Sequence, residues 1–283
     1  MSTRRVLITG ATSGIGREAA FQMAAQGASL ILVARDPSRG AAVASEIAKQ
    51  TGSAAPVVVA GDLSDADSIR ACAAAVRREN DRLDVLVNNA GIQQLSRQET
   101  PDGIELVFAT NVLGYHQLTQ ELLPLLERGE RARIVTVAST YAGGLDFDDL
   151  EFKRRPWDNI KSYRQSKQAN RLWTWALARR LRDKKIAANA MSPGLVDTRL
   201  YRDMKGLRRA FMTVLAKIFG RSVAQGADTI TWLALSPEVE GKSGLLYVER
   251  KETACEFRGE KDEERMWSVC EDYIARRQRR AAE

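Results

Sequence analysis

Short apolar runs rich in β-branched residues alternate with longer segments of helical period along this chain, and this alternation limits the fold more than any other feature. The first two runs are almost continuously apolar, which is typical of parallel strands covered by helices on both faces. The alternation therefore predicts an α/β fold with a doubly wound parallel sheet. The expected strands are 5–10, 29–34, 56–63, 83–91, 133–139, 185–193 and 243–248.

The length of 283 residues is enough to bury a full hydrophobic core. Composition is ordinary for a globular protein, with 44% hydrophobic and 28% charged residues. No internal repeat, low-complexity segment or long linker divides the chain. We therefore expect a single domain over residues 1–283.

The charge pattern argues against a nucleic-acid-binding protein. The formal net charge of +7 comes from arginines scattered along the whole chain. No basic block is interleaved with aromatic residues, as a nucleic-acid groove would require. The positive charge could still favour an anionic cofactor or a membrane surface.

Cysteine and histidine usage excludes several kinds of site. Cys72, Cys255 and Cys270 form no C-x-x-C pair, which suggests free thiols in a reducing compartment. The single histidine, His116, rules out a histidine-rich zinc site. Because it lies in the helically periodic NVLGYHQLTQELLPLL, we interpret it as structural.

Targeting signals are also missing from the sequence pattern. The first apolar strand begins at Val6 with no leader-like apolar segment before it. No apolar run approaches the roughly 20 residues that are needed to cross a bilayer. We therefore expect a soluble, cytoplasmic protein.

A glycine-rich turn follows the first strand. In TGATSGIG, residues 9–16, the glycines Gly10, Gly14 and Gly16 have the spacing G-x3-G-x-G between a strand and a helix. Glycine permits a tight turn and lets backbone N–H groups approach a phosphate, which a helix N-terminus also favours. The turn therefore predicts binding of a nucleotide.

The end of the second strand bears on which nucleotide binds. An acidic residue in this region usually holds the ribose 2′-hydroxyl of NAD, whereas Ala34 here is followed by Arg35, with Arg39 close behind. A guanidinium favours the 2′-phosphate of NADP. We expect NADP, and consider NAD less favoured; Asp36 keeps NAD use open, as does the alternative that Arg35 is only a solvated loop residue.

Polar residues also follow the third and fourth strands. Asp62, in GDL (61–63), could accept a hydrogen bond from an adenine amino group, and NNAG (88–91) ends the next strand. Both lie at the carboxyl ends of parallel strands, where ligands bind in open α/β sheets. Each could equally be ordinary turn chemistry.

Tyr163 and Lys167 lie four residues apart in SYRQSK (162–167), so they share one face of a helix. An ammonium beside a phenol lowers the pKa of that phenol from about 10, and a phenol tuned in this way can act as an acid or a base. By itself, however, the spacing is common and favours an ordinary solvated helix surface.

Taken together and in order, TGATSGIG, NNAG, Ser139, the Tyr163–Lys167 pair and PG (193–194) resemble the short-chain dehydrogenases/reductases. ARDPSRG and the long interval from Ser139 to Tyr163 make the chain most similar to the retinol-dehydrogenase-like branch. The resemblance covers almost the whole chain. It implies a Rossmann-type, NAD(P)-dependent oxidoreductase that interconverts an alcohol and a carbonyl.

The resemblance also assigns roles to individual residues. The catalytic positions fall on Asn111, Ser139, Tyr163 and Lys167. The cofactor-binding positions fall on Gly10, Ser13, Gly14, Ile15, Gly16, Arg35, Asp62, Leu63, Asn89, Tyr163, Lys167, Pro193, Gly194 and Thr198. Ser139 would hold the substrate oxygen, and Asn111 would order a water that links Lys167 to solvent.

This sequence departs from the branch at two positions. Ala138 stands before the serine where another serine is usual, and Ser192 stands before the PG turn in place of the common histidine. Neither change removes a catalytic atom, so they affect the substrate range rather than the chemistry.

Two segments are left for substrate recognition. Residues 143–161 appear too polar for the core, and we expect a loop at the rim of the site. Within 195–225, the amphipathic stretch 201–222 is implied by the resemblance to be a small helical substrate lid. The alternatives are a plain amphipathic cover on the domain and a peripheral membrane contact.

The sequence therefore predicts an NADP(H)-dependent oxidoreductase acting on a small lipophilic carbonyl or alcohol. A non-catalytic NADP-binding regulator or scaffold is one alternative. A reductase of a larger aromatic, polyketide-like substrate is another. The resemblance also leaves a homo-oligomer open.

Overall fold

The computed structural model describes residues 3–194 and 222–282, with side chains to residue 279. Its strands are β1 (Arg5–Thr9), β2 (Ser29–Ala34), β3 (Val57–Ala60), β4 (Val85–Asn88), β5 (Arg133–Val137), β6 (Ala187–Ser192), β7 (Leu246–Val248) and β8 (Lys251–Thr253). Its α-helices are α1 (Gly14–Ala25), α2 (Pro37–Thr51), α3 (Ala66–Glu79), α4 (Leu106–Phe108), α5 (Gly114–Leu126), α6 (Asn159–Arg180), α7 (Val223–Leu235) and α8 (Glu260–Ala282). A π-helical turn, Ala109–Leu113, joins α4 to α5, and short 3₁₀ turns occupy Arg182–Lys184 and Pro237–Val239.

The eight strands form one sheet in the order β3-β2-β1-β4-β5-β6-β7-β8. Strands β1 to β7 are parallel, and β8 pairs antiparallel with β7. The strand order reverses between β1 and β4, and ligands of open α/β sheets bind at the carboxyl ends of the strands beside such a reversal. The predicted doubly wound, Rossmann-type fold is confirmed.

Successive residues of β1 enter different halves of the core because side chains alternate across a strand. Leu7 packs on one face of the sheet with residues of α3, α5, α6 and α8. Val6 and Ile8 pack on the other face with residues of α1, α2 and α7. The central strands are therefore covered on both faces, which explains their continuous apolar sequence.

The segment 143–161 differs from its prediction. It is irregular up to Asp158, as expected, and its last three residues begin α6. Asp149, Leu150, Glu151 and Phe152 are all buried, however, so the expectation that it is too polar for the core is wrong at these positions. The Asp149 carboxylate accepts hydrogen bonds from the backbone amides of residues 153–155. These bonds compensate for the burial of the charge.

His116 has the structural role that the sequence indicated. It is 1% exposed, its Nδ1 accepts a 3.0 Å hydrogen bond from the Trp173 indole, and its Nε2 lies 2.8 Å from a Glu271 carboxylate oxygen. The ring also packs edge-on against Trp267, with centroids 4.9 Å apart. His116 thus joins α5 to α6 and α8.

Two further observations concern the expected lid and the membrane. Thr198 and most of the 195–225 lid lie outside the described residues; at its end, Ser222 caps α7 through a reciprocal capping box with Gln225. Among the helices that are described, none has the length and apolar composition of a membrane-spanning segment.

Candidate active site

The turn between β1 and α1 requires glycine at two positions because the backbone is crowded. Gly10 has φ +69°, and a Cβ there would lie 2.7 Å from the Ala90 Cα. A Cβ on Gly16 would lie 2.5 Å from the Gly10 carbonyl oxygen. The glycine spacing in the sequence is therefore explained by this packing of the turn against the end of β4.

The N-terminus of α1 fits an anionic group. Ser13 is the N-cap residue, but its side chain forms no capping hydrogen bond, and the first turn contains no acidic residue. Gly14 has φ +58° and faces open space, and Ile15 is partly buried against the core. Backbone N–H groups at such a helix end favour a phosphate, so these residues fit a dinucleotide cofactor.

Asn89 holds the glycine turn in place. Its side-chain amide donates to the carbonyl oxygens of Thr9, at 2.8 Å, and Gly10, at 3.3 Å. The Thr9 hydroxyl accepts hydrogen bonds from the backbone amides of Asn89 and Ala90. Sequence reasoning did not single out Thr9, although it is the first residue of TGATSGIG.

Charges at the end of β2 are consistent with the expectation of NADP. The Asp36 carboxylate caps α2 by accepting from the amides of Ser38 and Arg39, at 3.0 and 3.2 Å. Arg35 and Arg39 are exposed and form no ion pair with any described residue. The acid is thus engaged in capping while both guanidinium groups face solvent.

The turn after β3 is built around Asp62. Its Oδ1 accepts hydrogen bonds from the amide and the hydroxyl of Ser64, at 2.9 and 2.7 Å. Leu63 is 5% exposed, and its carbonyl oxygen packs so closely on Gly114 that a Cβ there would lie 2.5 Å away. The turn places Asp62 and Leu63 at the carboxyl edge of the sheet, directly after β3.

Tyr163 and Lys167 lie in the second and third turns of α6. Asp158 caps this helix by accepting from the amides of Ile160 and Lys161, both at 2.9 Å. The Lys167 ammonium nitrogen lies 5.7 Å from the centre of the Tyr163 ring, as the spacing predicted.

Lys167 is a buried cation. Its side chain donates a 2.9 Å hydrogen bond to the carbonyl oxygen of Val137, the last residue of β5. It is 4% exposed, and this burial lowers the pKa of Lys167 to about 8. The charged form is therefore retained at neutral pH, although burial opposes it.

Asn111 connects α6 to the segment that follows β4. It lies in the π-helical turn, a feature that is frequent at functional sites. Its amide donates to the Ile92 carbonyl at 3.0 Å and to the Ser166 hydroxyl at 3.1 Å, and its oxygen accepts from the Ile92 amide at 2.8 Å. The Ser166 hydroxyl in turn donates to the Tyr163 carbonyl at 2.8 Å. Asn111 thus helps to fix the helix that carries Tyr163.

Ser139 lies in the loop after β5, and hydrogen bonds hold it there. Its hydroxyl accepts a 3.0 Å hydrogen bond from the Tyr141 amide. Its carbonyl oxygen accepts from the guanidinium of Arg171, which is 5% exposed. Arg171 was not anticipated from the sequence; the available signal was its position one helical turn beyond Lys167.

The Ser192 hydroxyl connects two loops of the candidate site. It accepts hydrogen bonds from the amides of Thr140, at 2.6 Å, and Gly194, at 3.4 Å. Pro193 and Gly194, the latter with φ +76°, follow β6 directly. The serine that replaces the usual histidine therefore joins the Ser139 loop to the PG turn.

Tyr115 is a second phenol near Lys167. Its ring centre lies 6.0 Å from the ammonium nitrogen, and its hydroxyl donates a 2.7 Å hydrogen bond to the Ala90 carbonyl. Burial raises the pKa of Tyr115 above that of a free phenol. Because it stays protonated and bonded to the backbone, Tyr115 supports the site rather than exchanging protons.

Comparison with known proteins agrees with this geometry. A family model described as short chain dehydrogenase matches residues 4–206. Retinol dehydrogenase 14 of Homo sapiens is 37% identical over 269 residues, covering 89% of this chain and 80% of that protein. Retinol dehydrogenase 12 of Mus musculus is 36% identical over 271 residues, covering 94% of this chain and 85% of that protein.

Solved structures show the same similarity. An uncharacterized protein from Mycobacterium paratuberculosis superposes with a TM-score of 0.75 and 29% identity, covering 96% of this chain and 93% of that one. A 3-ketoacyl-(acyl-carrier-protein) reductase from Brucella melitensis, complexed with NADH, gives 0.67 and 28%, with coverage of 86% and 95%. A gluconate 5-dehydrogenase from Burkholderia cenocepacia, in complex with NADP and tartrate, gives 0.69 and 25%, with coverage of 87% and 93%.

Proposed function

This chain belongs to the short-chain dehydrogenase/reductase family and is an NAD(P)-dependent oxidoreductase similar to the retinol dehydrogenases. We propose that it uses NADP(H) to interconvert a carbonyl and an alcohol on a small lipophilic molecule, with Tyr163 as the proton donor. The observation that carries this proposal is the buried Lys167 ammonium, 5.7 Å from the Tyr163 ring and held by the Val137 carbonyl.

The cofactor, when bound, supplies or accepts the hydride, and the protein supplies orientation and proton transfer. The glycine turn and the N-terminus of α1 would hold the phosphates, and Asp62 and Leu63 would contact the adenine. Asn89 would act indirectly, because its amide is already bonded to the glycine turn. Lys167 would also contact the nicotinamide ribose, and Pro193, Gly194 and Thr198 would hold the nicotinamide end.

Tyr163 would transfer its phenolic proton to the substrate oxygen in reduction and take it back in oxidation. The charged form of Lys167 stabilises the phenolate that remains after the transfer. Ser139 would hold the substrate oxygen through its hydroxyl. Asn111 would keep Tyr163 in position through Ser166, and the water that we expect beside Asn111 would return protons from solvent.

Two arginines support a preference for NADP. Arg35 and Arg39 are exposed just after β2, where we expect the adenosine ribose of the cofactor, and the Asp36 carboxylate caps α2. A 2′-phosphate carries the negative charge that two guanidinium groups recognise, whereas a 2′-hydroxyl does not.

Exposed apolar side chains support a lipophilic substrate. Tyr141, two residues after Ser139, is 54% exposed, and Leu95, four residues after Gly91, is 59% exposed. Both lie in loops that follow the central strands at the carboxyl edge of the sheet. The segment 195–225, which contains the amphipathic stretch 201–222, would act with them as a lid over the substrate.

A substrate panel tests this proposal. We expect NADPH oxidation with medium-chain and polyene aldehydes or aromatic ketones, and much slower oxidation with short polar aldehydes and sugars. NADH should support the same reactions less efficiently. Tight NADPH binding without turnover on any carbonyl would instead favour the non-catalytic regulator, and activity confined to fused aromatic ketones would favour the polyketide-like alternative.

A further inference from the structure

The buried face of helix α8 includes a charged residue near the end of the helix. Met266, Cys270 and Tyr273 recur at helical spacing and pack on the core. The next position on that face is Arg277, whose side chain is only 3% exposed. A buried arginine is costly unless its donors are used, so its partners indicate why it is there.

The guanidinium of Arg277 connects two segments that are distant in the chain. Its Nε donates to an Asp102 carboxylate oxygen at 2.7 Å, and one terminal nitrogen donates to the Ser64 carbonyl at 3.1 Å. Asp102 lies in the loop before α4, and Ser64 belongs to the turn after β3. Arg277 therefore ties α8 directly to the turn that carries Asp62.

Ser64, which Arg277 contacts, is itself hydrogen-bonded to the Asp62 carboxylate. Both the amide and the hydroxyl of Ser64 donate to Asp62 Oδ1, so the position of residue 64 fixes the orientation of that carboxylate. The start of α3, directly after this turn, is held from α5 by Gln117, whose side chain donates to the Ala66 carbonyl at 2.9 Å. The turn is thus supported from two helices, and Arg277 provides the contact from α8.

We propose that Arg277 is a positioning residue for cofactor binding, which holds the Asp62–Ser64 turn in the orientation that receives the adenine ring. This inference rests on the proposed NADP(H) function, and it assigns a role in cofactor binding to a residue of α8, outside the predicted cofactor-binding residues. Tyr273 supports the placement of Arg277 one turn earlier, because its hydroxyl donates to Glu151 at 2.7 Å and its ring packs edge-on against Phe108.

The test uses the adenosine half of the cofactor, so that no substrate is needed. Isothermal titration with 2′,5′-ADP is compared for the wild type, Arg277→Met and Arg279→Met. Arg279 is exposed and forms no hydrogen bond with the described residues. Because Arg279→Met removes the same charge from the same helix, it is the matched control. We expect Arg277→Met to weaken binding by about five-fold, the effect of one lost hydrogen bond, and Arg279→Met to leave it unchanged.

A double-mutant cycle separates positioning from general destabilisation. Ser64→Ala removes the hydroxyl bond to Asp62, so Arg277→Met and Ser64→Ala act on one turn and their effects on 2′,5′-ADP affinity should not add. Additive effects, or unchanged affinity in a folded Arg277→Met variant, would overturn the inference and leave the proposed function standing. If Arg277→Met does not fold, Arg277→Lys replaces it under the same criteria, because lysine keeps the charge but lacks the two separate nitrogens that bond Asp102 and Ser64. A wild type that binds no adenine nucleotide would overturn both.

Discussion

The Lys167 ammonium donates to the Val137 carbonyl at 2.9 Å, two residues before Ser139. One strand end therefore anchors the lysine through its backbone and presents the serine from the loop that follows. The relationship couples the position of Lys167 on α6 to that of Ser139 without any direct bond between the two side chains. It also places a charged group in a nearly water-free environment, with measurable consequences.

Replacing Lys167 with methionine should change how stability depends on pH. Burial lowers the pKa of Lys167 from 10.5 to about 8, so the unfolded chain binds more protons than the folded chain between these values. Stability of the wild type should therefore rise with pH through this window, relative to Lys167→Met, by a few kcal/mol from pH 7 to pH 10. Urea denaturation of both proteins at the two pH values measures the difference. A stability difference that does not change with pH would contradict the burial of the charge.

Asn111 should contribute more to stability than an equally buried asparagine on α6. Asn111→Ala removes three hydrogen bonds to Ile92 and Ser166 and should cost about 3 kcal/mol. Asn170, also 0% exposed, has no hydrogen-bond partner for either side-chain polar atom within the described residues. Asn170→Ala is the matched control and should cost distinctly less in denaturant unfolding. Equal losses would mean that the Asn111 bonds add nothing beyond packing.

Arg35 should determine the preference for NADP over NAD. Arg35→Ala removes an exposed guanidinium beside the expected 2′-phosphate and should weaken NADPH binding about ten-fold, because the lost contact is a charge-assisted hydrogen bond. NADH binding should be unaffected. Lys49→Ala removes an exposed charge in the last turn of α2, away from the ribose edge, and serves as the control. Fluorescence titration with both cofactors measures the change; an equal loss for NADPH and NADH would show that Arg35 does not read the phosphate.

The regular parts of the fold were predictable because local sequence determines them. The apolar runs at β1 and β2 could be assigned as strands because both faces of the sheet are covered. The motifs at Gly10–Gly16, Asn89 and Tyr163–Lys167 were predictable because each combines a local conformation with a fixed spacing. What these stretches share is that the residue types and their spacing can be recognised locally, although Asn89 and Lys167 act through partners that are 80 and 30 residues away.

The remaining features depend on contacts between distant residues. Strand β8, KET at 251–253, is short, charged and exposed, so it has no apolar pattern and exists only through pairing with β7. The burial of Asp149 required three backbone amides that the sequence does not identify. The burial of Arg171 and Arg277 depends on distant acceptors, among them the Ser139 carbonyl, 32 residues from Arg171, and the Ser64 carbonyl, 213 residues from Arg277.

Replacing Tyr163 with phenylalanine tests the central claim most directly. The variant keeps the ring beside Lys167 and removes only the phenolic oxygen, so NADPH affinity should stay within about two-fold of the wild type, while kcat/KM on the best carbonyl of the panel should fall by about 1,000-fold or more. Ring-preserving Tyr141→Phe, near Ser139, should retain most activity and is the control. A Tyr163→Phe enzyme that binds NADPH and turns over within ten-fold of the wild type would contradict the assignment of Tyr163 as the proton donor.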